Sequence, residues 1–239
     1  MCWSGEASTT LAAIGIATTA YAAYKKEPTV LWITLGYFSS MELLQAFTYT
    51  VIDDCNSPSN QVATLLGYLH IAFQPFFINA ISMYFIPEEI RRKITLPVYF
   101  LCFVVAIFMI LASYPFSWAG SCVEGLCGER LCSVSGSWHI AWELPLNLID
   151  YWNFGFFQMS GFSYVLVAFL LPILYGSWRF TLYHVLMGPS IAYFLTDSIN
   201  EHAAVWCLIS IALLLIVVKT PIRKILFVRK WPLWFGAKF

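Results

Sequence analysis

Within the stretch Ser137 to Trp152, SWHIAWELPLNLIDYW, the side chains of His139, Glu143, Asn147 and Asp150 interrupt an otherwise apolar run. Wound as a helix, offsets of four, eight and eleven residues return within about 80° of the start at roughly 100° per residue, so the four share one face. An imidazole and a carboxylate one turn apart are suited to acid/base work or to one bound Zn, Fe or Cu ion. A second set sits upstream. Ser39, Glu42, Gln45, Tyr49 and Asp53 recur at steps of three or four, and His70 and Gln74 stand four apart ahead of Pro75. A carboxylate such as Glu42 within an apolar helix requires a proton, a cation or several donors, which marks it as a functional candidate. Tyr49 reads as an interfacial anchor and Asn79 as part of another contact, about 180° from His70. The expected ligand-binding residues are therefore Glu42, Gln45, His70, Gln74, Glu143, Asn147 and Asp197. For a divalent transition metal (Zn, Fe or Cu), Glu42, His70, His139 and Glu143 are the expected ligands.

The elements that must position these groups are set by composition. Of 239 residues, 60% are hydrophobic and 11% charged, and the mean hydropathy is +0.73. Such usage excludes an ordinary soluble globular domain and points to an all-α polytopic membrane protein forming a single domain over 1–239. Apolar runs predict seven transmembrane helices near 9–24, 29–52, 62–86, 95–114, 156–177, 180–198 and 202–218. An extra amphipathic helix over 137–152 precedes the fifth; it reads as an extension of that helix, a separate surface helix, or a re-entrant segment broken at Pro145. The opening MCWSGEAS lacks a basic region and is too polar for a cleavable signal, so it is expected in the mature chain. Residues 219–239 carry Arg223, Lys224, Arg229, Lys230 and Lys238 among aromatic residues and read as a basic amphipathic cytoplasmic tail on the membrane.

The formal net charge is zero, yet its distribution is one-sided. Lys25 and Lys26, Arg91, Arg92 and Lys93, Arg179 and the tail fall on one side of a seven-helix threading; Asp53, Asp54, Glu124, Glu129, Asp197 and Glu201 fall on the other. The positive-inside rule then places the N-terminus outside and the C-terminus inside. Short juxtamembrane clusters argue against a nucleic-acid partner, leaving the lipid bilayer and membrane proteins as partners. Cys2, Cys55, Cys122, Cys127 and Cys132 all land on the outer side, as expected for disulfide candidates in an oxidising compartment, with the 115–136 loop as the stapled element.

Met1-Cys2-Trp3-Ser4 with Ala7-Ser8, Met41-Glu42 with Gln45, and the run His70 to Pro75, HIAFQP, resemble a family of small multi-pass membrane proteins of unknown function. The resemblance spans most of the chain and implies no catalytic role. A looser similarity is to the seven-helix ceramidase-like membrane hydrolases, which hold zinc with three histidines; the last helix here lacks their paired histidines and has only His202 at its start. Three functions fit these residues: an outward-facing polar pocket that binds a metal ion or small ligand, as in a metal-dependent membrane enzyme; a structural or accessory subunit of a larger membrane complex; and a small-solute or proton transporter, for which no inverted repeat is visible. The first is the preferred expectation.

Overall fold

The computed structural model describes residues 3–121, 127–153 and 158–234. Helix α1, Gly5–Tyr24, starts where the Ser4 hydroxyl accepts from the Ala7 N–H, and α2 is Thr29–Thr48. Helices α3, Pro58–Tyr84, and α4, Glu88–Ala112, begin with Pro58 at the first turn and Pro87 at the N-cap, positions whose N–H would be unpaired in any case. Helix α5, Phe162–Leu174, contains a π turn at Leu166–Leu170. Helix α6, Trp178–Met187, is separated by Gly188 from α7, Pro189–Leu195. Pro189 cannot donate to the helix and drives the preceding residue out of the α region. Helix α8, His202–Lys219, leads into α9, Ile222–Leu226.

Among the described residues, α3, α4 and α8 are long and apolar enough to cross a membrane. This is fewer than the seven expected. Helices α1 and α2 reach 20 residues each, but threonines, glycines, serines and Glu42 dilute their apolar character. The fifth expected span is shortened because Gln158–Ser160 is extended and Gly161 is left-handed ahead of α5, and the sixth is broken at Gly188-Pro189. Large apolar side chains nevertheless face outward on α2, α3, α4 and α6, including Leu43, Phe47, Leu66, Phe100, Phe103, Leu182 and Leu186, while Leu35, Met41, Ile78, Ile81, Phe85, Ile211 and Leu214 fill the interior. An apolar exterior on an apolar core is the pattern of a lipid-facing bundle.

The stretch 137–152 is not a helix, which corrects the expected amphipathic element. Strand β1, Cys132–Ser135, pairs antiparallel with β2, Ile140–Glu143, in the register Cys132 to Glu143, and β3, Tyr151–Asn153, pairs with β4, Gln158–Ser160. The fold is therefore mostly helical with two small ladders. Trp138, Ile140 and Trp142 suit a strand as well as a helix, and Pro145 stops helical propagation. Ile140, Ala141 and Trp142 are all buried, Trp142 against Gly67 of α3, where a Cβ would come within 3.1 Å of the indole.

The hairpin and its neighbours form a cap on one end of the bundle. The Asn60 amide donates to the carbonyls of Val51 and Ser133 and accepts from the Ser133 N–H at 2.8 Å. Asp53 accepts from the N–H and hydroxyl of Ser135, both at 2.6 Å, and Cys55 is bonded to Cys132. The expected disulfide thus ties the α2–α3 loop to β1. Cys127 is also disulfide-bonded; Cys2 and Cys122 lie outside the described residues. Cys102 and Cys207 are buried free thiols. At the opposite end Arg223 pairs with Glu27 at 2.8 Å, the Val228 N–H donates to Phe85 O, and the Trp234 indole donates to Tyr175 O. Beyond the short helix α9 the chain runs as an extended strap docked across the bundle end.

Candidate functional site

The cap is held at its centre by Glu201, immediately before α8. Its carboxylate accepts from the N–H groups of Ser137, Trp138 and His139, each at 2.8 Å, and from the Ser137 hydroxyl at 2.9 Å. Gly136 is required beside it, because a Cβ there would lie 2.4 Å from the Glu201 carboxyl carbon. Burial alone would raise the Glu201 pKa, but the converging donors hold the carboxyl below the usual carboxylate range. His139 is fully buried. Its Nδ1 accepts from the Ile140 N–H at 2.7 Å and lies 3.0 Å from the Tyr49 hydroxyl. That assigns the ring proton to Nε2, which has no hydrogen-bond partner among the described residues. Burial pushes His139 down to about 3, against the opposing pull of Glu201. Trp3 covers this corner: its N–H donates to Trp138 O, its ring stacks on Trp138 at 5.9 Å, and its indole donates to Ser8.

Beneath the cap lie Glu42 and Gln45 of α2. Glu42 is 0% exposed, and neither carboxylate oxygen nor either amide atom of Gln45 has a hydrogen-bond partner among the described residues. One helical turn separates the two, which places them on one face. The Ser8 hydroxyl of α1 approaches the Glu42 carboxyl without forming a hydrogen bond of ordinary geometry, and Tyr49 at the end of α2 and Cys207 of α8 lie within electrostatic reach of it. Tyr49 also feels Glu201, so it links the buried carboxylate to the cap. Gln74 reaches the same region from α3: its amide donates to Cys207 Sγ at 3.6 Å, while its carbonyl accepts from the Tyr164 hydroxyl of α5.

His70 does not join them. It lines a lateral groove of about 730 Å³ between α2 and α3 together with Tyr37, Ser40, Leu44, Phe73 and Phe77. Its ring stacks on Tyr37 at 3.9 Å, and the Tyr37 hydroxyl donates to the His70 carbonyl. At about 100° per residue Glu42 sits roughly 140° around α2 from Tyr37 and roughly 160° from Leu44, so the groove and Glu42 occupy opposite sides of that helix.

Asn147, an expected ligand, and Asp150, on the same expected face, are occupied in building the cap. Asn147 closes the end of α4: its amide donates to the carbonyls of Leu111 and Tyr114 and accepts from the Ile149 N–H. Asp150 accepts from the N–H and hydroxyl of Ser163 at the start of α5, and burial raises its carboxyl despite those donors. Glu143 is half-buried at the end of β2 with its Cβ facing Gly128. Asp197 is exposed. His139 and Glu143, one turn apart on a helix, are separated by about 13 Å along extended chain at roughly 3.3 Å per residue, too far to share an ion. Among the described residues no group of three or more His, Cys, Asp or Glu is arranged to hold a metal ion. Sequence reasoning set Tyr49 aside and did not include Ser8 or Glu201. The stripe from Ser39 to Asp53 carried the signal for Tyr49, whereas Glu201 is identified only by the turn that folds onto it.

The chain belongs to a family of unknown function, DUF5765, whose model matches residues 6–227, nearly its whole length. No curated protein and no solved structure matches it.

Proposed function

We propose that the chain is an integral membrane protein of seven passes with its N-terminus outside, and that it holds a small cation in an occluded site beneath the outer cap. In this reading α6 and α7 together make one pass, and the helix ends alternate between the cap and the strap. The observation that carries the site is Glu42, fully buried with neither carboxylate oxygen in a hydrogen bond of ordinary geometry among the described residues, one turn from Gln45, whose amide likewise lacks a partner among them. A bare carboxylate in such surroundings is costly, and a proton or a positively charged occupant relieves it. Carboxylate and amide oxygens are hard donors, which favours a monovalent cation or an ammonium group over Zn, Fe or Cu. His139 Nε2 and Tyr49 would form the outer wall of the site, and access from outside would require the Trp3–Trp138 corner to open.

The test is the unfolding temperature of the detergent-purified protein in sodium, potassium or ammonium chloride, against N-methylglucamine chloride at equal ionic strength. A small cation is expected to raise it, and Glu42→Gln is expected to abolish the difference. If no small cation stabilises the native protein, or if Glu42→Gln responds identically, the site reading fails. The accessory-subunit reading, supported by the broad apolar exterior, would then take its place, with Glu42 as a protonated interhelical contact.

A further inference from the structure

We infer that the pocket between the end of α3 and the C-terminal strap binds the phosphate of an anionic phospholipid headgroup. Tyr84, Arg223, Lys224, Phe227 and Arg229 line this pocket of about 330 Å³ at the bundle end opposite the cap. The strap is fixed there. The Val228 N–H donates to Phe85 O at 2.8 Å, Leu226 and Val228 are buried, and the Arg179 guanidinium donates to Ile225 O at 3.0 Å. These contacts hold Lys224, Phe227 and Arg229 in place beside the last residue of α3.

Charge selects the occupant. Arg223 is shared with Glu27, whereas Lys224 and Arg229 have no ion pair among the described residues. Three cations facing one carboxylate leave two positive charges uncompensated, which fits a single phosphodiester contacted by a guanidinium fork and an ammonium. Position selects the source. Tyr84 ends a helix long and apolar enough to cross the bilayer, and Ile225 and Leu233 project large apolar side chains into the surroundings, 66% and 48% exposed. An aromatic-walled basic pocket at the membrane–water boundary meets anionic headgroups together with the acyl region. The inference rests on the membrane reading of the chain and is independent of the Glu42 site.

Native mass spectrometry of the detergent-purified protein provides the test, with dioleoylphosphatidylglycerol, dioleoylphosphatidylcholine and glycerol 1-phosphate as probes. Retention of phosphatidylglycerol is expected to exceed that of phosphatidylcholine by at least about tenfold, from two cations near the surface. The double variant Lys224→Gln/Arg229→Gln is expected to fall to the phosphatidylcholine level with its unfolding temperature unchanged. Arg92→Gln/Lys93→Gln, an equal loss of charge on the same side, is expected to keep the preference. Equal retention of the two lipids, an unaffected Lys224/Arg229 variant, or an equal loss in the Arg92/Lys93 variant would overturn the proposal. Full displacement by glycerol 1-phosphate would assign the pocket to a soluble phosphorylated ligand and overturn the lipid assignment. A protein that stays soluble without detergent would instead overturn the membrane reading itself.

Discussion

Glu201 and His139 couple the cap to proton concentration, and both act with the same sign. The folded-state pKa of Glu201 is depressed, so its contribution is present above its ordinary value of 4.5 and is lost as pH falls through the folded value. His139 is held neutral, its folded pKa pushed from 6.5 to about 3 by burial. Between those values the unfolded chain binds the proton and the folded chain does not, so stability rises with pH across that window. The share of stability that His139 contributes is therefore expected to be lost progressively as pH falls below about 6.5. Between pH 6.5 and pH 5 the thermal unfolding midpoint of His139→Gln is expected to decline less than that of the native protein. A variant whose pH profile overlays that of the native protein above pH 5 would remove His139 from this account. At this scale Glu42 was legible from the sequence, because a carboxylate in an apolar run stands out without coordinates. Glu201 was not, since its importance comes from three N–H groups more than sixty residues away.

The first two helices approach closely because small residues face each other. A Cβ on Gly15 of α1 would lie 2.1 Å from Ser39 Oγ and 2.8 Å from Ser39 Cβ, with Ile211 of α8 at 3.6 Å; one on Gly36 of α2 would lie 3.1 Å from Thr19 Cγ2. The Ser39 hydroxyl is committed to Leu35 O, so it cannot swing away freely. Gly15→Val is expected to destabilise the protein by about 1–3 kcal/mol through overpacking. Addition of Ser39→Gly is expected to recover a large part, as a double-mutant cycle on urea or thermal unfolding would show. Additivity of the two changes would mean that α1 relaxes away from α2 without using this contact. Which residue meets Gly15 was not legible in the sequence, because it depends on how α1 and α2 pack. The hairpin at 132–143 shows the opposite case. Polar residues spaced for a helix were distributed over a bend at His139, the strand end at Glu143, an irregular segment at Asn147 and a turn at Asp150, because cross-strand pairing, Pro145 and the Glu201 carboxylate outweigh a local periodicity that several backbone conformations can satisfy.

At the scale of the molecule the two ends differ in chemistry. One end is closed by a disulfide, a β-hairpin and buried carboxylates and carries Arg130, which donates to Asn56; the other carries the clusters Lys25/Lys26, Arg91/Arg92/Lys93 and Arg223/Lys224 and the docked strap. With the capped end outside, a cysteine at residue 54, which is exposed in the α2–α3 loop, is expected to react with a membrane-impermeant maleimide added to intact cells or right-side-out vesicles. A cysteine at residue 230 is expected to react only after permeabilisation. The reverse pattern would invert the topology and put the Cys55–Cys132 bond in a reducing compartment, where such bonds rarely persist.

Composition and charge order by themselves determined that the chain is mostly helical, apolar on its exterior and asymmetric in charge, because apolar runs and clustered cations leave a signal residue by residue. That Cys55 and Cys132 come together at one end of the bundle agrees with the same threading. Only the tertiary structure decided which polar residues meet. It placed His70 across α2 from Glu42, turned Asn147 and Asp150 into helix-end partners, separated His139 from Glu143, and left Glu42 and Gln45 alone beneath the cap. The physical reason is that helical phase predicts the face a side chain occupies, whereas the neighbour across that face is set by packing between segments distant in sequence, and for residues 137–152 even the period was decided by those distant contacts.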